Sequence, residues 1–336
     1  MTFWNESIIV EGKIMNTPVL LITFNRSEHT RRVLEAIKAA KPKDLYVFQD
    51  GAREGNEKDV AKCDEVRRVI EDLTRNVDWV VHTLYSRKNL CCGPGPMTAL
   101  NWFFSENEMG IVLEDDAVPH PDFFSYAEEL LLRYKDDESV CAIGSMNVDT
   151  QKWGDGSYYF SMMNRNFCAW ATWRRAWERF DLRLLDVSRR QLSKVLRWYG
   201  CGVLEREYWC DRLDDVHKDG CGGRSWDMQF FMSIWLNHGK GIVPNVNLSS
   251  NIGIVGEATH AVQSGYLIDN VPTQPILPLV HPSTCEIQRE ADRQFHFRYF
   301  ESDKSGWSEM MTCYHLLNKK LKKIVGHQGP WLKKKQ

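Results

Sequence analysis

Four strand-like segments alternate with helix-patterned segments over the first third of the chain, and this alternation restricts the fold more than any other feature. Apolar runs without polar residues at alternate positions are typical of strands that are covered on both faces by helices. We therefore predict a β-α-β-α-β-α-β order with a parallel sheet and right-handed crossovers. The strands are predicted at 18–24, 45–48, 79–84 and 110–113.

The segments between these strands have the period of amphipathic helices. In the first of them, Val33, Leu34 and Ile37 fall on one face, and Ser27 can act as its N-cap. The second half of the chain is less regular: 158–181 is dense in aromatic residues, and 198–223 predicts loops with short helices. Further helices are predicted near 56–74, 97–106, 121–134 and 228–237, and further strands at 140–144 and 241–244.

Polar residues follow three of the predicted strands directly: Asn25-Arg26, Gln49-Asp50 and Glu114-Asp115-Asp116. In open α/β sheets, ligands bind beyond the carboxyl ends of the strands. We therefore expect these residues to lie together on one edge of the sheet, which we call the rim.

The three consecutive acids Glu114, Asp115 and Asp116, here called the acidic triplet, end a fully apolar strand. Carboxylates are hard oxygen ligands that suit Mg²⁺ or Mn²⁺. A cation held this way binds a nucleoside diphosphate and neutralises the charge of a departing diphosphate. The alternative interpretation is a solvated acidic turn.

Several functions are excluded by missing motifs. The chain has neither a Walker A sequence nor G-x-G-x-x-G after the first strand, and the prolines of Cys92-Gly93-Pro94-Gly95-Pro96 favour a rigid turn over a phosphate-binding loop. The net charge of −2 argues against a nucleic-acid binder. The ten cysteines include no C-x-x-C pair, so a zinc site is not expected, and we interpret them as reduced thiols.

Five sequence blocks together resemble GT-A-fold glycosyltransferases that use nucleotide sugars, and the group typified by animal N-acetylglucosaminyltransferase I and its bacterial relatives in particular. The resemblance covers about 18–260 in the right order and implies a GT-A-type, Rossmann-like sheet. The blocks are PVLLITFNR (18–26), VLEDDAVPHPDFF (112–124), FCAWATWRRAWERFD (167–181), SWDMQ (225–229) and NIGIVGEATH (251–260).

The resemblance implies roles for the rim residues. Asp116 matches the acid that ligates the metal, Mn²⁺ or Mg²⁺, whereas Glu114 and Asp115 match residues that contact the sugar and the ribose. Arg26 and Asp50 fall where the family contacts the uridine and its phosphates. His260 closes the fifth block and could complete the metal shell or contact the diphosphate; the alternative is a structural histidine.

Asp227 of the fourth block matches the catalytic base of the family. An inverting transfer needs a carboxylate to accept the proton of the attacking hydroxyl group. The alternative is that Asp227 caps the helix that follows it. Three tryptophans could stack on the apolar face of a sugar acceptor, although at least one of them is expected in the core; they are Trp170, Trp173 and Trp226.

The resemblance also implies substrates and a domain plan. It predicts an inverting hexosyltransferase that moves a sugar, by default GlcNAc, from a UDP-sugar to a glycan or lipid-linked glycan acceptor. This chain departs from the family pattern at Asn25 and Glu257, which puts the donor sugar in doubt. The predicted plan is an N-terminal extension at 1–16, a catalytic domain at 17–265 with donor and acceptor halves at 17–150 and 151–265, and a C-terminal extension at 266–336.

The C-terminal tail is basic, and several apolar residues fall on one side of a helix there. Such a segment can lie on an anionic membrane, and the alternative is a solvated helix or a disordered end. The sequence has no signal-peptide pattern and no run of about 20 apolar residues, so we expect a cytoplasmic protein, with peripheral binding at the inner face of the membrane as the alternative if the tail binds lipid.

Two other functions stay open at this point. The first is a nucleotidyltransferase that forms a sugar nucleotide; such enzymes need a glycine-rich, basic loop after the first strand, which Asn25-Arg26-Ser27-Glu28 does not supply. The second is a carbohydrate-binding protein without activity, against which the intact Asp116 and Asp227 argue.

Overall fold

The computed structural model describes residues 15–148, 151–163, 169–218, 226–253 and 270–300. Within these residues the strands are β1 (Val19–Thr23), β2 (Asp44–Gln49), β3 (Val80–Tyr85), β4 (Met109–Glu114), β5 (Ala117–Pro119), β6 (Val140–Gly144), β7 (Tyr158–Ser161), β8 (Ala169–Trp173), β9 (Lys240–Pro244) and β10 (Ser249–Asn251). The helices are α1 (Ser27–Ala40), α2 (Glu57–Thr74), α3 (Pro94–Glu106), α4 (Pro121–Arg133), α5 (Arg174–Trp177), α6 (Arg189–Trp198), α7 (Val203–Lys218), α8 (Asp227–Leu236) and α9 (Arg289–Phe300).

Eight strands form one sheet in the order β3-β2-β1-β4-β8-β6-β9-β7. The pairs β2–β3, β1–β2, β1–β4 and β6–β9 are parallel, whereas β8 lies antiparallel between β4 and β6, and β7 is antiparallel to β9. The prediction of a mostly parallel α/β sheet flanked by helices is confirmed.

The sheet is covered on both faces because its strands place alternate side chains in two apolar layers. Leu20 and Ile22 pack in one layer with α3 and the later helices α6 to α8, whereas Val19 and Leu21 pack in the other with α1, α2 and α4. All five residues of β1 are buried, which explains its unbroken apolar run. The predicted inward face of α1 is buried as expected, at Val33, Leu34 and Ile37.

The second half of the chain is more regular than its sequence suggests. The segment 198–223, predicted as loops with short helices, contains the whole of the 16-residue helix α7. The buried face of α7 carries Glu205, which pairs with Arg289 of α9 at 3.0 Å, and a polar residue on a buried face obscures the helical period. The aromatic-dense segment supplies β7 and β8.

Two helix starts also differ from the prediction. Arg26 occupies the N-cap position of α1, and Ser27 is its first residue. The Gly/Pro-rich segment is the start of α3, which begins at Pro94, because proline is well tolerated in the first turn of a helix.

A second, two-stranded sheet pairs β5 with β10 in antiparallel orientation. It fixes the chain immediately after the acidic triplet, since Asn251 lies opposite Ala117. Within the described residues, no helix combines the length and the apolar character needed to cross a bilayer.

Candidate functional site

The rim forms because β1 lies between β2 and β4 and all three strands are parallel. Thr23 of β1 is paired with Gln49, and Ile22 is paired with Glu114, so the three strands end at the same level. The residues that follow them, Arg26, Asp50 and the acidic triplet, therefore meet at one edge of the sheet, as the sequence predicts.

The members of the acidic triplet have different surroundings. Asp115 is buried, and its Oδ2 accepts a hydrogen bond of 3.2 Å from the backbone N–H of Phe24. Asp116 accepts through Oδ2 from Nη1 of Arg26 at 2.9 Å, and the same Nη1 lies 3.7 Å from Asp115 Oδ1. Arg26 is thus the cation that balances part of this charge, and Asp115 joins the ends of β4 and β1.

The pKa values of Glu114 and Asp115 are raised. Burial, and then the charge of Asp116, raises the pKa of Asp115 to about 7. Burial, followed by the charges of Asp116, Asp115 and Asp227, raises the pKa of Glu114 well above its usual range. One arginine does not offset this repulsion, and a bound divalent cation would relieve it.

One carboxylate oxygen of Asp116 accepts no hydrogen bond from the described residues. Its Oδ1 is buried and has no hydrogen-bond partner in the part of the chain that the structure describes. A buried carboxylate oxygen without a donor is costly unless a cation or a ligand completes it. This oxygen is the strongest local indication of a missing ligand at the rim.

Asp50 is placed at the rim, but its carboxylate is already engaged by the protein. Oδ1 accepts from the backbone N–H groups of Gly51 (2.9 Å) and Leu90 (2.8 Å), and Oδ2 accepts from Nδ2 of Asn89 at 3.0 Å. Burial raises the pKa of Asp50, although the Leu90 and Gly51 N–H groups oppose the rise. Asp50 therefore organises the loop after β3, a function that the sequence did not indicate.

Asp227 is brought to the acidic triplet by α8. It is half-buried, and its charge contributes to the raised pKa of Glu114. The helix begins at Asp227, and Trp226 occupies the N-cap position, so the alternative role of Asp227 as N-cap is not the one observed.

The three tryptophans predicted as an acceptor floor do not form one surface. Trp170 and Trp226 share one apolar layer, with ring centroids 5.7 Å apart, whereas Trp173 packs in the other layer and donates from Nε1 to the Leu131 carbonyl. All three are buried. His260 and the basic tail lie outside the described residues.

Sequence reasoning missed Gly253, which lies against Asp116. A Cβ atom at position 253 would come within 2.8 Å of both Cβ and Cγ of Asp116. The residues around Gly253 give no sign of this contact in the sequence, because the contact depends on the pairing of β10 with β5.

Two negative observations bear on the site. Among the described residues, no group of three or more His, Cys, Asp or Glu side chains is arranged to hold a metal ion. A cleft of about 370 Å³ lies instead beside α2 and the end of β3, where Cys63, Arg67 and Tyr85 contribute to its lining. None of the acidic triplet lines this cleft.

No family model matches the sequence. Among solved structures, apo UDP-glucose pyrophosphorylase matches with 10% identity and a TM-score of 0.37, over 70% of this chain and 93% of that chain. UDP-glucose pyrophosphorylase complexed with UDP-glucose matches with 11% identity and a TM-score of 0.30, over 49% and 79%. 4-Diphosphocytidyl-2C-methyl-D-erythritol synthase from Anaerococcus prevotii matches with 14% identity and a TM-score of 0.25, over 49% and 73%.

These matches correct the enzyme class that the sequence predicted. The three structures named above are nucleotidyltransferases and not glycosyltransferases, and this contradicts the predicted hexosyl-transferring glycosyltransferase. The resemblance to N-acetylglucosaminyltransferase I is not shown by them either. The likeness concerns the fold and does not say which substrate this chain binds.

Proposed function

We propose that this chain is a divalent-metal-dependent nucleotidyltransferase that forms a sugar nucleotide from a nucleoside triphosphate and a sugar phosphate. The observation that carries the proposal is the meeting of the acidic triplet with Arg26 and Asp227 at the rim, where Oδ1 of Asp116 is buried without a partner. A site with this charge suits a polyphosphate that arrives with a cation.

The residues present fit Mg²⁺ or Mn²⁺. All candidate donors are carboxylate oxygens, and Mg²⁺ is usually held by one or two carboxylates together with water and substrate phosphates, so a cluster of three protein ligands is not required. Asp116 would hold the cation through Oδ1, with Glu114 or Asp227 as a second donor. When bound, the cation neutralises phosphate charge during the transfer.

Positive groups for the phosphates follow β1. Arg26 has 26% of its side chain exposed and is the cation next to Asp116. The first backbone N–H groups of α1 lie beside it and, like those of any helix, have no partners within the helix. Together they replace the glycine-rich basic loop that the sequence lacks.

The proposed transfer does not need a general base. An oxygen of the sugar phosphate attacks the α-phosphorus of the triphosphate, a new P–O bond forms, the bond to the bridging oxygen breaks, and pyrophosphate leaves with that electron pair. The attacking oxygen is already anionic near neutral pH, because the second pKa of a phosphate monoester is about 6. Asp227 would therefore coordinate the cation through an oxygen or accept a hydrogen bond from a sugar hydroxyl group, in place of the base predicted from sequence.

The burial of the tryptophans favours a small second substrate, such as a sugar phosphate, over a glycan acceptor. Trp170 and Trp173 are 0% and 3% exposed, so neither offers a face on which a glycan acceptor could stack. The sugar phosphate would contact the carboxylates instead. The uridine base remains our default for the nucleotide.

The test is pyrophosphate release by the full chain with Mn²⁺ or Mg²⁺, a set of nucleoside triphosphates with UTP first, and a set of sugar 1-phosphates. We expect release that needs both substrates, stops with EDTA, and is lost in Asp116→Asn but kept in Asp64→Asn, a change at an exposed position of α2. Absence of pyrophosphate from every pair, in a preparation that binds Mn²⁺, would reject the proposal.

A further inference from the structure

The backbone that follows β10 lies directly on the proposed metal ligand. The N–H of Ile252 donates to the Asp116 carbonyl at 2.8 Å, which extends the β5–β10 pairing to the acidic triplet. The N–H of Gly253 donates to Oδ1 of Asn251, also at 2.8 Å, and this bond holds the turn at 251–253 closed. Asp116 is therefore fixed at its backbone by a segment more than 130 residues away in sequence.

Only glycine fits at position 253. A Cβ atom there would lie 2.8 Å from Asp116 Cβ and Cγ, and closer still to Oδ2, and distances below 3.0 Å are essentially never seen for real Cβ atoms. Oδ2 is also the oxygen that Arg26 holds at 2.9 Å. The Asp116 carboxylate thus lies between Arg26 and the α-carbon of Gly253, and this arrangement determines which oxygen remains for a cation.

The turn is held from a second side by α1. Nε2 of His29 lies 3.1 Å from the Ile252 carbonyl oxygen, so the Nε2–H group donates to it. His29 is half-buried, and its described hydrogen bond is to the Ile252 carbonyl and not to a carboxylate of the acidic triplet. Its contribution to the site passes through the backbone of residues 252–253.

We infer that the turn 251–253 is a positioning element for the metal ligand: Gly253 sets the side-chain orientation of Asp116, and His29 holds the turn in place. The inference rests on the proposed function, because it takes Asp116 as the ligand of a divalent cation. Gly253 and His29 are positioning residues, and neither is expected to touch the substrate.

The experiment measures Mn²⁺ affinity of the full chain by water-proton relaxation, together with the melting temperature of each variant. We expect Gly253→Ala to weaken Mn²⁺ binding about tenfold or more, the loss typical of disturbed support around a ligand. The matched control is Gly202→Ala, where an added Cβ meets nothing within 4 Å, and its Mn²⁺ affinity should stay that of the wild type. His29→Ala should weaken binding by a few-fold, and His29→Gln, which keeps an N–H donor, should recover it in part.

The outcomes separate this inference from the proposed function. Equal Mn²⁺ affinity in wild type and Gly253→Ala overturns the positioning role alone. If Gly253→Ala does not fold, unchanged affinity in His29→Ala overturns it instead. A wild-type chain that binds no Mn²⁺, with or without UTP, removes the metal site and the inference with it. Pyrophosphate release with normal Mn²⁺ binding in both variants leaves the proposed function intact and rejects only the positioning role.

Discussion

At the scale of single residues, three adjacent carboxylates share one edge of the sheet and one nearby arginine. Asp115 is tied to the Phe24 N–H, Asp116 is tied to Arg26, and Glu114 lies within the field of both and of Asp227. The raised pKa values of Glu114 and Asp115 follow from this crowding. In the absence of a cation, the site should therefore destabilise the protein as it ionises.

We expect the metal-free protein to lose stability as pH rises from about 4 to about 7, and Asp115→Asn to lose less of it. The pKa of Asp115 rises from 3.8 to about 7 on folding. Between these two pH values the folded state retains a proton that the unfolded state has released. The stability that this proton contributes is therefore fully present below the unfolded-state pKa of 3.8 and is lost as the pH rises through the folded-state pKa of about 7. The effect amounts to a few kcal/mol at most.

Urea unfolding in EDTA at several pH values between these limits measures this dependence. Wild type and Asp115→Asn should differ most near neutral pH, and added Mn²⁺ should reduce the difference. Parallel pH profiles for the two proteins would contradict the assignment to Asp115.

We expect Asp59→Ala to destabilise the protein by roughly 1 to 3 kcal/mol, because it removes the charge-assisted hydrogen bonds that a buried carboxylate accepts from Arg53 and Asn25. Asp59 is 3% exposed and accepts from Nε and Nη2 of Arg53 and from Nδ2 of Asn25. Asp64→Ala on the same helix is the control, since Asp64 is exposed and lies 3.6 Å from Arg67, and about 0.5 kcal/mol or less is expected there. Chemical denaturation of both variants gives the comparison, and similar losses would argue against the buried pair.

At the scale of elements, the rim depends on how loops pack against strand ends. The turn after β2 and the loop after β3 approach each other so closely that a Cβ at Gly51 would lie 2.6 Å from the backbone carbonyl carbon of Lys88. The carboxylate of Asp50 then receives the Asn89 and Leu90 donors of that loop. One glycine and one aspartate thus position a whole loop beside the site.

We expect Gly51→Ala to lower stability by about 1 to 3 kcal/mol, because the clash is with backbone and a rigid loop must shift to relieve it. The same change should weaken nucleotide binding if the loop after β3 contributes to the site. Calorimetric melting and titration with UTP and Mn²⁺ measure both effects, with Gly202→Ala as the unstrained control. A melting temperature equal to that of the control would show that the loop adjusts freely.

At the scale of the whole molecule, cation binding should appear as thermal stability. A ligand that binds only the folded state at 100 times its dissociation constant adds about 2.7 kcal/mol. For a chain of 336 residues we expect a rise of a few degrees in melting temperature with Mn²⁺ and UTP. Asp116→Asn should abolish the rise, and an equal rise in that variant would place the cation elsewhere.

The sequence predicted the sheet well because β1, β2 and β4 are buried on both faces and are mostly apolar, whereas β3 lies at the sheet edge and is only partly buried. The rim followed from the parallel order, and Asp227, predicted as the catalytic base, lies near enough to Glu114 for its charge to help raise the pKa of that residue, while its role stays a prediction. What the sequence could not show depends on contacts distant along the chain. These are the separation of Trp170 from Trp173 across the sheet, the engagement of Asp50 by Asn89, and the contact of Gly253 with Asp116.

The strand order also determines when the sheet can be completed during synthesis of the chain. The neighbours of β6 in the sheet are β8 and β9, and both are translated after it. A nascent chain that ends at residue 150 contains β1 to β4 and β6, but it contains neither partner of β6 and leaves one edge of β4 without its partner β8. The strand ends that carry Arg26, Asp50 and the acidic triplet are therefore synthesised early, whereas β9, Asp227 and the turn 251–253 are synthesised later.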